Sequence, residues 1–186
     1  MVLIWHWLEG VSTWHAFDPY IDLAQKLGHV VDHKAIKARL RTLHDDVLLD
    51  TQPRAGAVRL LDEAKTHGLK LGVASSSSHA WVDHHLARYN LLEYFDAIKC
   101  RDDVGNKRTK PKPDLYLAVL DVLGVSSNEV IAFEDSLNGV KAAKAAGINV
   151  IAVSNPVTQH MQLGIADRVI ESFEAVRLAE LLRTYF

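Results

Sequence analysis

The chain has 186 residues, enough for one domain, or one domain with a small insert, and for a real core. It is 48% apolar and 24% charged, with a formal net charge of -2 and no basic tract, which argues against a binder of nucleic acid or acidic membranes. The single cysteine, Cys100, excludes an internal disulfide and fits a reducing, cytoplasmic setting.

The opening "MVLIWHWLEG" is apolar but lacks the basic start and small-residue cleavage site of a signal peptide. From Tyr20 to Leu49 the pattern is helical: "YIDLAQKLG" ends in a glycine stop, and "DHKAIKARLRTLHDDVLL" starts with an aspartate cap. The texture then changes at "DTQPRAG", residues 50–56, which divides a helical part (residues 1–52) from an α/β part (residues 53–186). "AVRLLDEAKTHG" is an amphipathic helix, "LKLGVAS" a buried strand, "SHAWVDHHLARYN" a helix and "FDAIKC" a short strand. "KPDLYLAVLDVLG" is a helix with Pro113 in its first turn and Gly124 past its end. "EVIAFE" is a strand, "SLNGVKAAKAAG" a helix, "INVIAVS" a strand, "DRVI" an edge strand and "SFEAVRLAELLRTYF" a closing helix. The adjacent His84 and His85 point about 100° apart on a helix, so they are expected on a solvated face rather than around a metal.

Strands alternating with helices of this length predict a parallel sheet with right-handed crossovers, whose chemistry gathers at the carboxyl ends of the strands. Three such ends carry polar residues. In "VASSSSHAW", Ser75 follows a strand and Ser76 leads toward a helix. A hydroxyl and free N–H groups there suit a phosphate, and helix capping by a serine is the alternative. In "RTKPKPDLY", Lys110 precedes a proline and is held extended; it is either a point charge for a phosphate and nearby acids, or a surface lysine. In "IAFEDSLNGVKAAKAAG", the adjacent Glu134 and Asp135 end a strand and require a positive partner. They suit Mg²⁺, or Asp135 or Ser136 caps the next helix. In this order, each at a strand end, the three form a phosphoryl-transfer constellation.

"LGVASSSSHAWV", "KPKPDLYLAVLDVLG" and "AFEDSLNGVKAAKAAG" resemble the second, third and fourth motifs of the haloacid dehalogenase (HAD) superfamily, most closely its β-phosphoglucomutase-like phosphatases with a helical cap. "QPRAGAVRLLDEAKTHGLKLG" resembles the return from cap to core, and "FDPYIDLAQKLG" part of the cap. The likeness covers residues 14–183. It implies a Rossmann-like core of α/β class, a parallel sheet with helices on both faces, and a partial helical cap. It also implies that Ser75 and Ser76 bind the phosphate of a small phosphorylated metabolite, that Lys110 bridges phosphate and nucleophile, and that Glu134 and Asp135 hold Mg²⁺. Asn138 and Gly139 would shape the turn into the helix.

One piece departs from the family pattern. The first motif, a strand followed by two aspartates that act as nucleophile and general acid/base, has no counterpart before the cap. "LHDDVLLDTQP", residues 43–53, imitates it, but Leu43 stands at the nucleophile position and a helical pattern precedes it. No cap residues follow it either. Asp18 lacks a second acid and a strand, and Asp45 and Asp46 are expected at a solvated helix end. The resemblance therefore implies a family member truncated at its N-terminus, inactive as it stands and weak in Mg²⁺ binding, whose sheet lacks its central nucleophile strand. Removing a central strand exposes two rows of backbone donors and acceptors, at about 1–3 kcal/mol for each group left buried and unpaired. "MVLIW" is one candidate to fill that gap, and a helical cap segment is the expected alternative. A phosphatase of sugar phosphates, a phosphate-binding pseudoenzyme and a sugar-phosphate mutase stay open. A response-regulator-like receiver is set aside, because its N-terminal acid pair and its aspartate after the third strand are absent.

Overall fold

The computed structural model describes residues 2–5, 19–36, 38–39 and 51–186. The chain divides into two units, residues 13–52 and the remainder (residues 1–12 with 53–186). In the smaller unit, α1 (Pro19–Leu27) is followed by helical residues 33–36 and 38–39. The Asp32 carboxylate accepts from the backbone N–H groups of Lys34 and Ala35 at 2.9 and 3.0 Å, as a helix cap does. Asp18, Asp45 and Asp46 lie outside the described residues.

The larger unit runs β1 (Val2–Trp5), α2 (Ala57–Thr66), β2 (Lys70–Ala74), α3 (His79–Arg88), β3 (Ala97–Lys99), α4 (Arg101–Val104), α5 (Asp114–Leu123), β4 (Val130–Glu134), α6 (Leu137–Ala145), β5 (Asn149–Val153), β6 (Arg168–Ile170) and α7 (Leu178–Tyr185). The six strands form one parallel sheet in the order β3-β2-β1-β4-β5-β6. The strands and main helices after residue 53 fall where the apolar patterns place them. The four-residue α4 is too short to carry a periodic signal.

The N-terminus departs from expectation. Residues 2–5 are not helix, and the centre of the sheet is not vacant: β1 lies between β2 and β4, with Trp5 opposite both Val73 and Phe133. It also belongs with the larger unit rather than with a cap spanning residues 1–52. Two facing strand edges present unpaired N–H and C=O groups on both sides. A segment that satisfies both rows gains more than the same segment gains as an isolated turn of helix.

Side chains alternate across the sheet and sort the core into two layers. Leu71 and Val73 of β2, Ile131 and Phe133 of β4, and Ile151 and Val153 of β5 pack with Leu60, Leu61 and Leu181 from α2 and α7. Val130 and Ala132 of β4, with Val150 and Ala152 of β5, face the other way. There they meet Leu115, Tyr116 and Val119 of α5 and Val140, Ala142 and Ala143 of α6. The alanines on both sides let α6 lie close to the sheet. Glu134 continues the even-numbered row of β4, so period two directs its carboxylate to the α5 and α6 side.

His85 also departs from expectation. His84 is exposed, but His85 is buried, its ring edge-on to Trp81 at 4.2 Å between centroids. One of two adjacent helix positions turned inward, as their 100° offset allows.

Candidate functional site

β4 delivers Glu134 into the protein, with only 1% of its surface exposed. A carboxylate there needs compensation, since an unpaired buried charge costs several kcal/mol. Lys110, 2% exposed, supplies it: its Nζ lies 2.6 Å from Glu134 Oε1. The peptide bond from Lys110 to Pro111 is cis, in the loop that leads into α5.

Tyr116, on the first turn of α5, donates its hydroxyl to the same Glu134 oxygen. Burial, reinforced by the neighbouring Glu134 charge, pushes the Tyr116 phenol well above its ordinary pKa, so it stays protonated and donates. Sequence reading missed this residue. Its signal was an aromatic at a core position of the helix six residues after Lys110, which reads equally as packing.

The second oxygen, Glu134 Oε2, is buried and has no hydrogen-bond partner among the described residues. It lies against Gly139 so closely that a Cβ at that position would overlap the carboxylate. Gly139 sits inside α6 with an ordinary helical φ, so its glycine makes room for Glu134; it does not shape a turn.

Ser136, rather than Asp135, caps α6, its Oγ accepting from the Gly139 N–H at 3.1 Å. Asp135 Oδ2 accepts from Asn155 Nδ2 at 3.3 Å, and Arg54 lies close enough to feel its charge. Burial lowers the Arg54 pKa and Asp135 acts against that shift. The Arg54 guanidinium donates to the carbonyls of Val153, Ser154 and Glu171 at 2.8, 2.5 and 3.1 Å, tying the carboxyl ends of β5 and β6. Asn155 and Arg54 were not singled out from the sequence, because each acts through partners far along the chain.

At the end of β2, Ser75 is buried, its N–H bonded to the Lys99 carbonyl at 2.9 Å. Its Oγ accepts from the Ser77 N–H at 3.1 Å, shaping the loop. Ser76 Oγ is buried with no hydrogen-bond partner among the described residues. Ser78 stands at the N-cap of α3 but makes no side-chain cap bond; Asp102 takes the His79 N–H at 2.8 Å. The four-serine run is thus not consumed by capping α3.

The structure therefore joins Lys110, Glu134 and Tyr116 directly and puts Asp135 next to Glu134. Ser75 and Ser76 stand at the end of β2. That strand and β4 flank β1, so their ends are about 10 Å apart, two strand spacings. Buried carboxylate, ammonium and hydroxyl groups thus gather near the carboxyl ends of β2 and β4, at the switch region of the parallel sheet.

Comparison with known proteins sharpens the class. The family model for haloacid dehalogenase-like hydrolases matches residues 15–153. YhcW of Bacillus subtilis (strain 168) is 37% identical over 176 residues, spanning 95% of this chain and 79% of that protein. The chain belongs to the haloacid dehalogenase-like hydrolases. The phosphorylated carbohydrates phosphatase of Thermotoga maritima is 41% identical over 93 residues, 50% of this chain and 42% of that enzyme. The crystal structure of CbbY from Rhodobacter sphaeroides in complex with phosphate superposes with a TM-score of 0.69 at 26% identity, covering 97% of this chain and 98% of that one.

Proposed function

We propose that the larger unit is a phosphatase-type site for small phosphorylated metabolites, sugar phosphates in particular, and that this chain binds such esters without turning them over. The buried Lys110–Glu134 pair carries the reading: it fixes an ammonium beside the end of β4, where Tyr116 and Asp135 add a hydroxyl and a carboxylate. The phosphate complex of CbbY and the activity named for the Thermotoga enzyme support the ligand class.

In this reading Ser75 and Ser76 orient the phosphate through a hydroxyl and backbone N–H groups, and Lys110 offsets its charge. The orphaned, buried Glu134 Oε2 and the adjacent Asp135 fit Mg²⁺, a hard ion that takes one or two carboxylates and keeps waters. Among the described residues no group of three or more His, Cys, Asp or Glu side chains converges. Bound there, Mg²⁺ would offset negative charge on the phosphoryl oxygens. Turnover requires an in-line nucleophile, and among the described residues no strand end carries an Asp-x-Asp pair, which supports the pseudoenzyme form over an active phosphatase or mutase.

Phosphorus NMR titration with a sugar phosphate, in parallel with release of inorganic phosphate in the presence of Mg²⁺, tests both parts. Saturable binding that weakens in S76A and K110M, with no release above background, is expected. Release at ordinary enzymatic rates would overturn the silent assignment, and absence of binding would overturn the site.

A further inference from the structure

The two oxygens of Glu134 are treated differently by the fold. Oε1 receives both Lys110 Nζ and the Tyr116 hydroxyl, while Oε2 sits over Gly139 with no hydrogen-bond partner among the described residues. Three segments impose this: the loop before α5, α5 itself, and the β4–α6 junction. The Tyr116 side chain is wholly buried and fixed in the α5–α6 layer, so its hydroxyl cannot swing away without disturbing packing. A carboxylate held by the ammonium alone could rotate about its last bond, since one donor does not fix a planar group. Two donors on one oxygen do fix it.

We propose that Tyr116 is a positioning residue: its hydroxyl, with Lys110, anchors Glu134 Oε1 and so presents Oε2 as the single oxygen offered to a divalent cation. The inference rests on the assignment of Glu134 and Asp135 as cation ligands. It predicts coordination through one oxygen of Glu134, and a conserved carboxylate orientation whether or not phosphate is present.

The test is titration of the full chain with Mn²⁺, read by water-proton relaxation, with an infrared difference spectrum of the carboxylate stretches on Mn²⁺ addition. Wild type, D135N and Y116F are compared. D135N is expected to weaken Mn²⁺ binding, as the underlying assignment requires. Y116F keeps the ring in its packed place and is expected to weaken binding about tenfold, the scale of a hydrogen bond to a charged group. It should also shift the metal-induced carboxylate bands toward two-oxygen coordination, which a purely structural role for the tyrosine would not do. Weakening in D135N with unchanged affinity and bands in Y116F overturns the role of Tyr116 and leaves the cation site standing. No Mn²⁺ binding, or binding indifferent to D135N, overturns the cation site and this inference together. Should Y116F fail to fold, the phenol C–O band of ring-labelled tyrosine in the wild-type chain decides: a shift of the buried tyrosine on Mn²⁺ addition supports the proposal, and no shift overturns it.

Discussion

Glu134 and Lys110 show how one buried pair organises a site. Their side chains are 0% and 1% exposed, so neither charge is tolerable alone. Substituting Lys110 by Met leaves the carboxylate uncompensated, and K110M is expected to lose about 3–5 kcal/mol of stability. The double variant K110M/E134L should recover part of that loss, because the buried charge goes with its partner. Urea denaturation of the two variants checks this, and equal losses would show that the pair's charge is not the issue. At this scale the sequence was legible where chemistry is carried by residue type. Two acids at a strand end demanded a cation, and a lysine was marked as a candidate. The tyrosine was not singled out and the glycine was read as shaping a turn, since their roles depend on where one carboxylate oxygen points.

β1 is the element on which the sheet depends. It pairs with β2 and β4 over four residues on each side, so every backbone group in it faces a strand. Proline has no N–H to give to either neighbour and is confined to edges and bulges in sheets. Leu3→Pro is therefore expected to destabilise the larger unit by about 3 kcal/mol or more, with faster amide exchange in β2 and β4. A variant with wild-type stability would mean that β1 contributes little to the sheet. The sequence offered a helix and a strand for the same few residues. Local pattern cannot separate them in so short an apolar run. β2, β4 and β5 posed no such problem, because each follows a helix with a clear period and a glycine stop.

Across the larger unit, stability also depends on pH. Asp167, just before β6, accepts both Lys144 Nζ contacts, at 2.8 and 2.9 Å, and the Val150 N–H at 2.7 Å. Burial raises its pKa, but hydrogen bonds from Lys144 and Val150 outweigh this and hold it below the usual carboxylate range. The folded state thus binds this proton less readily than the unfolded chain, where aspartate titrates near 3.9. The contribution is complete above that value and is lost as pH falls through the lower, folded value. D167A should cost about 1–2 kcal/mol at pH 7, and the difference from wild type should close as pH falls through the lowered, folded value. Denaturation midpoints across pH give the curve; a gap that persists in acid would assign the effect to packing.

By itself the sequence determined the α/β class, the order of the main elements after residue 53, the family resemblance and the polar residues at the ends of β2 and β4; Lys110, expected at a strand end, lies instead in the loop between α4 and α5. Each of these is written in local period, caps and motif spacing. The tertiary structure alone decided that residues 2–5 complete the sheet, that His85 turns inward, and that Tyr116 and Gly139 set the two oxygens of Glu134 apart. Each depends on backbone edges or side chains far apart in the chain, and their meeting is fixed by packing that no local pattern encodes.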